Sequence, residues 1–148
     1  MKKNILVVVG HPDDEVLGCG GTIYKHVKSG DIVNIIYCTD GVSSRNNDPN
    51  FIKNKKSQEL IRNLSAKKSC KILGINKSIF FDFLDNKMDS VPLLEIVQKI
   101  EIEIKKLNPE IIYTHSYGDL NVDHSIVSKA VITATRPDNK NFVKKILM

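Results

Sequence analysis

Apolar residues fall into two patterns along the chain, short unbroken runs and longer stretches with a recurrence every three or four positions. Ile5 to Val9 is an unbroken aliphatic run, the pattern of a strand buried on both faces. From Val16 the period becomes helical: Val16, Leu17, Gly20, Ile23, Tyr24 and Val27 fall on one face, and Ser29-Gly30-Asp31 ends the helix with glycine in the stop position. Ile32 to Tyr37 reads as a second buried strand, running into the turn Cys38-Thr39-Asp40-Gly41. Residues 42–50 are polar and read as a loop, and a helix is expected over 54–73, closed by Gly74. Ser78 to Phe81 reads as a third strand and Asp82 to Ser90 as a loop. Leu93, Ile96, Val97, Ile100, Ile104 and Leu107 form the cleanest amphipathic helix, stopped by Asn108-Pro109. Glu110 to Thr114 is a fourth strand, His115 to Asp123 a loop, and Ile126, Val127, Ala130, Val131 and Ala134 mark a fourth helix. Arg136 to Asn141 is expected as loop, and Phe142 to Met148 as the start of a fifth strand.

Strands alternating with helices, most of the strands continuously apolar, predict an α/β fold: a mostly parallel sheet with helices on both faces. Ligands of such sheets bind beyond the carboxyl ends of the strands. The segments 10–15, 38–50, 82–90 and 115–123 all follow strands, so they are expected to open onto one edge.

Composition narrows the partners. The 148 residues suit one domain, 1–148, with 41% hydrophobic and 26% charged residues. The net charge of +5 comes from scattered lysines in short groups such as Lys53/Lys55/Lys56, Lys67/Lys68 and Lys144/Lys145. Without a basic stripe interleaved with aromatics, nucleic acid is not an expected partner. Cys19, Cys38 and Cys70 are widely spaced and form no C-x-x-C pair, which fits reduced thiols in a cytoplasmic protein. No run approaches the roughly 18 apolar residues of a membrane span. Ile5 to Val9 is also too short for a signal-peptide core.

The chemistry concentrates in His11-Pro12-Asp13-Asp14-Glu15, one imidazole and three carboxylates directly after the first strand. His11 and Asp14 are three apart, so one turn can aim both at a common point, and both are good zinc ligands. Asp13 lies between them, free to act as a base. An acid here can also serve only as a helix cap, but capping needs one carboxylate. Massing three costs repulsion unless a cation offsets it. A second cluster, His115-Ser116-Tyr117-Gly118-Asp119-Leu120-Asn121-Val122-Asp123-His124, follows the fourth strand onto the same edge. His124 alone is an ordinary helix-start residue; opposite the first cluster it can supply a third ligand. Two histidines, one aspartate and a water make an open site of the catalytic kind.

Gly-His-Pro-Asp-Asp-Glu-Val-Leu-Gly-Cys-Gly-Gly at 10–21 and Gly-Asp-Leu-Asn-Val-Asp-His at 118–124 resemble the LmbE-like, or PIG-L, family of zinc-dependent de-N-acetylases. Thr39-Asp40-Gly41, Arg62 with Leu73-Gly74, and Asp82 with Asp89 are similar to that family as well. The resemblance implies a Rossmann-like fold and hydrolysis of the amide of an N-acetylglucosamine-type sugar conjugate. It implies a zinc ion on His11, Asp14 and His124, with Asp13 as general base. Asp123 is expected to orient a neighbouring group, and Arg62 either to hold substrate hydroxyls or phosphate or to be a surface arginine. Asn121 stands where many members have histidine; asparagine donates a hydrogen bond but shuttles no proton. That leaves protonated Asp13 or His115 as the general acid, unless His115 is a plain strand-end residue. Ser65 stands where members often have glutamate.

Family members usually carry a further C-terminal part that helps build the substrate pocket. This chain stops at Ile146-Leu147-Met148, inside the expected fifth strand, so the expectation is that such a part is missing. Two other readings stay open. One is a metal-binding remnant without turnover. The other is a nucleotide-binding module on Gly18-Cys19-Gly20-Gly21, although that spacing is not G-x-G-x-x-G and the acids at 13–15 repel phosphate. A homo-oligomer is compatible with the sequence.

Overall fold

β1 (Asn4–Val9), β2 (Ile32–Thr39), β3 (Lys77–Phe83), β4 (Ile111–Tyr113) and β5 (Lys145–Leu147) pair into one sheet in the order β3-β2-β1-β4-β5. Every pairing is parallel. The structure, a computed structural model, describes residues 2–45, 49–137 and 143–148, with side chains for 2–44, 54–137 and 143–148. α1 (Asp14–Lys28), α2 (Pro49–Leu73), α3 (Leu93–Leu107) and α4 (Val122–Ala134) alternate with the strands. Short 3-10 turns lie at Ser43–Arg45 and Met88–Ser90.

Strand side chains alternate between faces, so each central strand feeds two cores. Leu6, Val8, Ile36 and Ile112 pack with Ile96, Val97 and Ile100 of α3 and Val127, Ala130 and Val131 of α4. Ile5, Val7, Val9, Ile35 and Tyr37 pack with Ile23 of α1 and Ala66 and Cys70 of α2. Burial on both faces is why Ile5 to Val9 of β1 is an unbroken apolar run and β2 is apolar from Ile32 to Tyr37 but for Asn34, which is buried and accepts from Asn76 Nδ2 at 2.9 Å. Each fully buried aliphatic side chain contributes about 1.5–3 kcal/mol.

The elements depart from expectation in instructive places. α1 begins at Asp14 and is non-helical at Cys19, so its buried residues are Glu15, Gly20 and Ile23, whereas Val16, Leu17 and Tyr24 are exposed. The kink rotates the two halves of the helix, and a single helical period cannot describe both. α2 starts at Pro49, ahead of the expected 54. β3 runs on to Phe83, placing Asp82 in a strand, where it pairs with Lys99 at 2.7 Å. Of the expected loops, residues 46–48 and 138–141 lie outside the described residues, as does Phe142 of the expected fifth strand. β5 itself covers Lys145–Leu147.

The strand order positions the site. From β1 the chain winds outward through β2 and β3, then returns to the other side of β1 as β4. The carboxyl ends of β1 and β4 therefore flank a topological switch point, where the connections leave in opposite directions and open a crevice.

Gly74 closes α2 with φ 77°, and a Cβ there would stand 2.6 Å from Val27 Cγ1. Gly18 in α1 has nothing within 4 Å of such a Cβ. Gly74→Ala is expected to lower stability by about 1–3 kcal/mol, from left-handed backbone strain plus the clash. Gly18→Ala is expected to be neutral or to add up to about 1 kcal/mol. Urea unfolding midpoints distinguish the two.

Candidate metal centre

β1 delivers Gly10 and His11 to the crevice, and the first turn of α1 delivers Asp14. β4 delivers His115, and α4 delivers Asp123 and His124 in its first turn. Asn121 caps α4: its side-chain oxygen accepts from the amides of Asp123 at 2.9 Å and His124 at 3.3 Å. That cap satisfies helix-end donors and fixes the direction in which both residues leave the helix.

Three donor atoms converge. His11 Nδ1 lies 3.1 Å from His124 Nε2 and 3.4 Å from Asp14 Oδ2, and His124 Nε2 lies 3.3 Å from that same oxygen. Donors about 2.0–2.1 Å from a tetrahedral ion stand roughly 3.3 Å from one another. The triangle has the dimensions such an ion requires.

The outward nitrogens are also accounted for. His11 Nε2 is 3.0 Å from Asp123 Oδ2 and 3.1 Å from Asp85 Oδ1. His124 Nδ1 is 3.0 Å from Asp119 Oδ2. A carboxylate only accepts, so each of these nitrogens carries the proton, and the opposite nitrogen of each ring is left to face the cluster. Carboxylates that hold metal-binding histidines in this way fix ring and tautomer. Asp123 is wholly buried and is itself held by the amides of Asn86 at 2.6 Å and Met88 at 3.2 Å. Asp85 accepts from Ser44 Oγ at 2.6 Å. Two other ligand groupings exist among the described residues, His115/Asp119/His124 and His11/Asp85/Asp123. In both, the histidine nitrogen beside the acids is the outward one that already donates to them, so the inward nitrogens make His11, Asp14 and His124 the best candidate grouping.

Mutual attraction between imidazoles and carboxylates dominates the electrostatics of the cluster. Burial works against charge on His11, but Asp123, Asp14 and Asp85 outweigh it and push its pKa up to about 11. Burial likewise opposes charge on Asp14, yet the surrounding imidazoles of His11, His115 and His124 and the His11 amide hold it far below the usual carboxylate range. For Asp85 burial is again outweighed, chiefly by His11 and Ser44, and its pKa falls to about 2.

The remaining expected residues have definite places. Asp13 lies outside the triangle, and its Oδ2 accepts from Arg62 Nη2 at 2.9 Å. Arg62 thus reaches the site from α2. His115 stacks on His124, with ring centroids 3.8 Å apart and planes 6° from parallel. Its Nε2 accepts from the Gly10 amide at 2.9 Å, so that nitrogen has no proton to give. The sequence did not single out Asp85, Asp119 or Glu15. Of the acids in 82–90, Asp82 and Asp89 resemble the family, yet both are exposed and Asp85 is the one turned inward. Asp119 figured in the sequence only as one member of the second cluster.

The fold and the cluster define an α/β protein with a His/Asp cluster that could hold a metal ion at the carboxyl edge of a parallel sheet. The chain belongs to the PIG-L family, described as GlcNAc-PI de-N-acetylase, which it matches over residues 6–135. It is 31% identical over 135 residues to a probable N-acetyl-α-D-glucosaminyl L-malate deacetylase 2 of Bacillus cereus, covering 90% of this chain and 61% of that protein. Its fold is similar to that of N,N′-diacetylchitobiose deacetylase from Pyrococcus horikoshii, with a TM-score of 0.80 at 23% identity over 93% of this chain and 52% of the other. It is similar too to a conserved protein from Thermus thermophilus, with a TM-score of 0.77 at 24% identity over 97% of this chain and 64% of the other. The chain thus spans less than two thirds of the length of each.

His11→Ala and His124→Ala are each expected to abolish metal binding, read as metal per chain by elemental analysis. Asp119→Asn, which keeps the ligand but weakens its support, is expected to lower affinity about 10–100-fold in a chelator competition.

Proposed function

We propose that the chain forms the site of a zinc-dependent N-deacetylase acting on an N-acetylglucosamine-type sugar conjugate. The observation that carries this reading is the donor triangle of His11 Nδ1, Asp14 Oδ2 and His124 Nε2, with edges of 3.1, 3.3 and 3.4 Å. Two imidazole nitrogens and one carboxylate oxygen are a zinc-type donor set of the open, catalytic kind. The PIG-L family and the names of the relatives support an acetylated aminosugar as substrate.

A zinc ion held there lowers the pKa of water to about 7 and polarises an acyl carbonyl. The protein does the rest. Asp85 and Asp123 hold the His11 ring and Asp119 holds that of His124, so neither ring needs to reorganise during the reaction. Of the three motif carboxylates, Asp14 is 12% exposed and locked among the imidazoles, Glu15 is 0% exposed, and Asp13 is 51% exposed. Asp13 is therefore the carboxylate available to take a proton from the attacking water and return it to the leaving amine. Arg62 steadies it and offers further donors to substrate oxygens. Asn121 serves catalysis by fixing Asp123 and His124 through the α4 cap. His115 braces His124 by stacking and lines a pocket beside Asp14. Free thiols at Cys19, Cys38 and Cys70 support a reducing, cytoplasmic setting. Among the described residues no helix is long and apolar enough to cross a membrane.

Acetate release from a panel of N-acetylglucosamine conjugates tests the reading. Asp13→Asn is expected to keep its zinc and lose about 10²–10⁴ in kcat. Undiminished release in that variant would remove Asp13 from the mechanism. Zinc binding by wild type with no release from any conjugate would favour the metal-binding remnant.

A further inference from the structure

Asp13 sits at φ 143° and ψ −23°, a backbone conformation that residues with a Cβ rarely adopt. Such strain is costly and persists only where the surroundings impose it. The strain has a visible result. Asp13 stands at the N-cap of α1, yet its side chain makes no capping hydrogen bond. Its carbonyl still accepts from Val16 at 3.0 Å and Leu17 at 3.1 Å, so the helix starts normally while the carboxylate stays free of it.

Glu15 explains how that state is held. Its side chain is wholly buried. It belongs to none of the metal-ligand groupings found among the described residues. Burying a carboxylate is costly unless its oxygens are bonded. Here both are used: Oε2 accepts from the Asp13 amide at 3.1 Å, and Oε1 accepts from Ser69 Oγ at 3.1 Å. Ser69 lies on α2, seven residues, or about two turns, beyond Arg62. The two residues share a helix face, so α2 grips Asp13 twice, at its carboxylate through Arg62 and at its amide through Glu15.

We propose that Glu15 is a positioning residue for Asp13. Anchored by Ser69, its buried carboxylate holds the Asp13 amide, and with it the strained backbone that keeps the Asp13 carboxylate out of the helix cap and open to substrate. The inference rests on the reading of Asp13 as the general base, but part of its test does not.

The variants are Glu15→Met, which keeps the volume and removes both acceptors, and Glu15→Gln, which keeps one acceptor oxygen. Zinc per chain, urea unfolding, hydrogen exchange of the Asp13 amide by NMR, and kcat and KM for acetate release are measured on the zinc-loaded protein. In Glu15→Met, zinc content is expected to hold and the Asp13 amide to exchange at least about tenfold faster, as a released hydrogen bond does. Its kcat is expected to fall about 10–100-fold, the scale of a misplaced catalytic group, with KM within about twofold. Glu15→Gln is expected to recover most of both losses, a rescue that a purely volumetric role would not show. Should Glu15→Met fail to fold, Ser69→Ala carries the same readouts, with a smaller change expected in the same direction. An Asp13 amide that exchanges as in wild type in a folded Glu15→Met or Ser69→Ala protein overturns the proposal. Wild type that releases no acetate would count against the base assignment alone, because the amide readout needs no turnover.

Discussion

A single carboxylate oxygen organises this molecule. Asp14 Oδ2 receives the His11 amide at 2.7 Å and has imidazole nitrogens of His11, His115 and His124 within 3.3–3.4 Å. A cation held at the centre would give the inward-facing donors a partner, with the outer carboxylates holding the rings. Asp123 and Asp85 stand behind His11, and Asp119 behind His124.

The sheet exists in the form that brings those groups together. β1 and β4 are neighbours only because the winding reverses at β1. That reversal sets a motif from residues 10–15 against one from residues 115–124, more than a hundred positions later. The apolar runs make the sheet stable, the parallel order puts all strand ends on one edge, and the reversal makes the crevice. α2 adds a further constraint. Arg62 and Ser69 reach the first turn of α1 from outside the sheet, so the geometry of Asp13 depends on how α1 and α2 pack.

Much of this was legible in the sequence. Two kinds of apolar pattern placed strands and helices, because buried strands and amphipathic helices leave different spacings. The meeting of His11, Asp14 and His124 was legible because His11 and Asp14 sit one turn apart and His124 follows a strand that must end on the same edge. Other features were not. The kink at Cys19 breaks the helical period, so Val16, Leu17 and Tyr24 read as core although they are exposed. Asp85 could not be told from Asp82 and Asp89, because which acid of a loop turns inward depends on Ser44 and His11, distant in sequence. Glu15 read as one more acid of the motif; only its full burial and its bond to the Asp13 amide set it apart.

The central claim is that His11, Asp14 and His124 hold one catalytic zinc. X-ray absorption at the zinc edge of the purified protein tests it most directly. The account predicts one zinc per chain with a first shell of two imidazoles and oxygen donors at about 2.0–2.1 Å and no sulfur. Folded protein that binds no zinc, or a first shell that contains thiolate sulfur at about 2.3 Å, would contradict it.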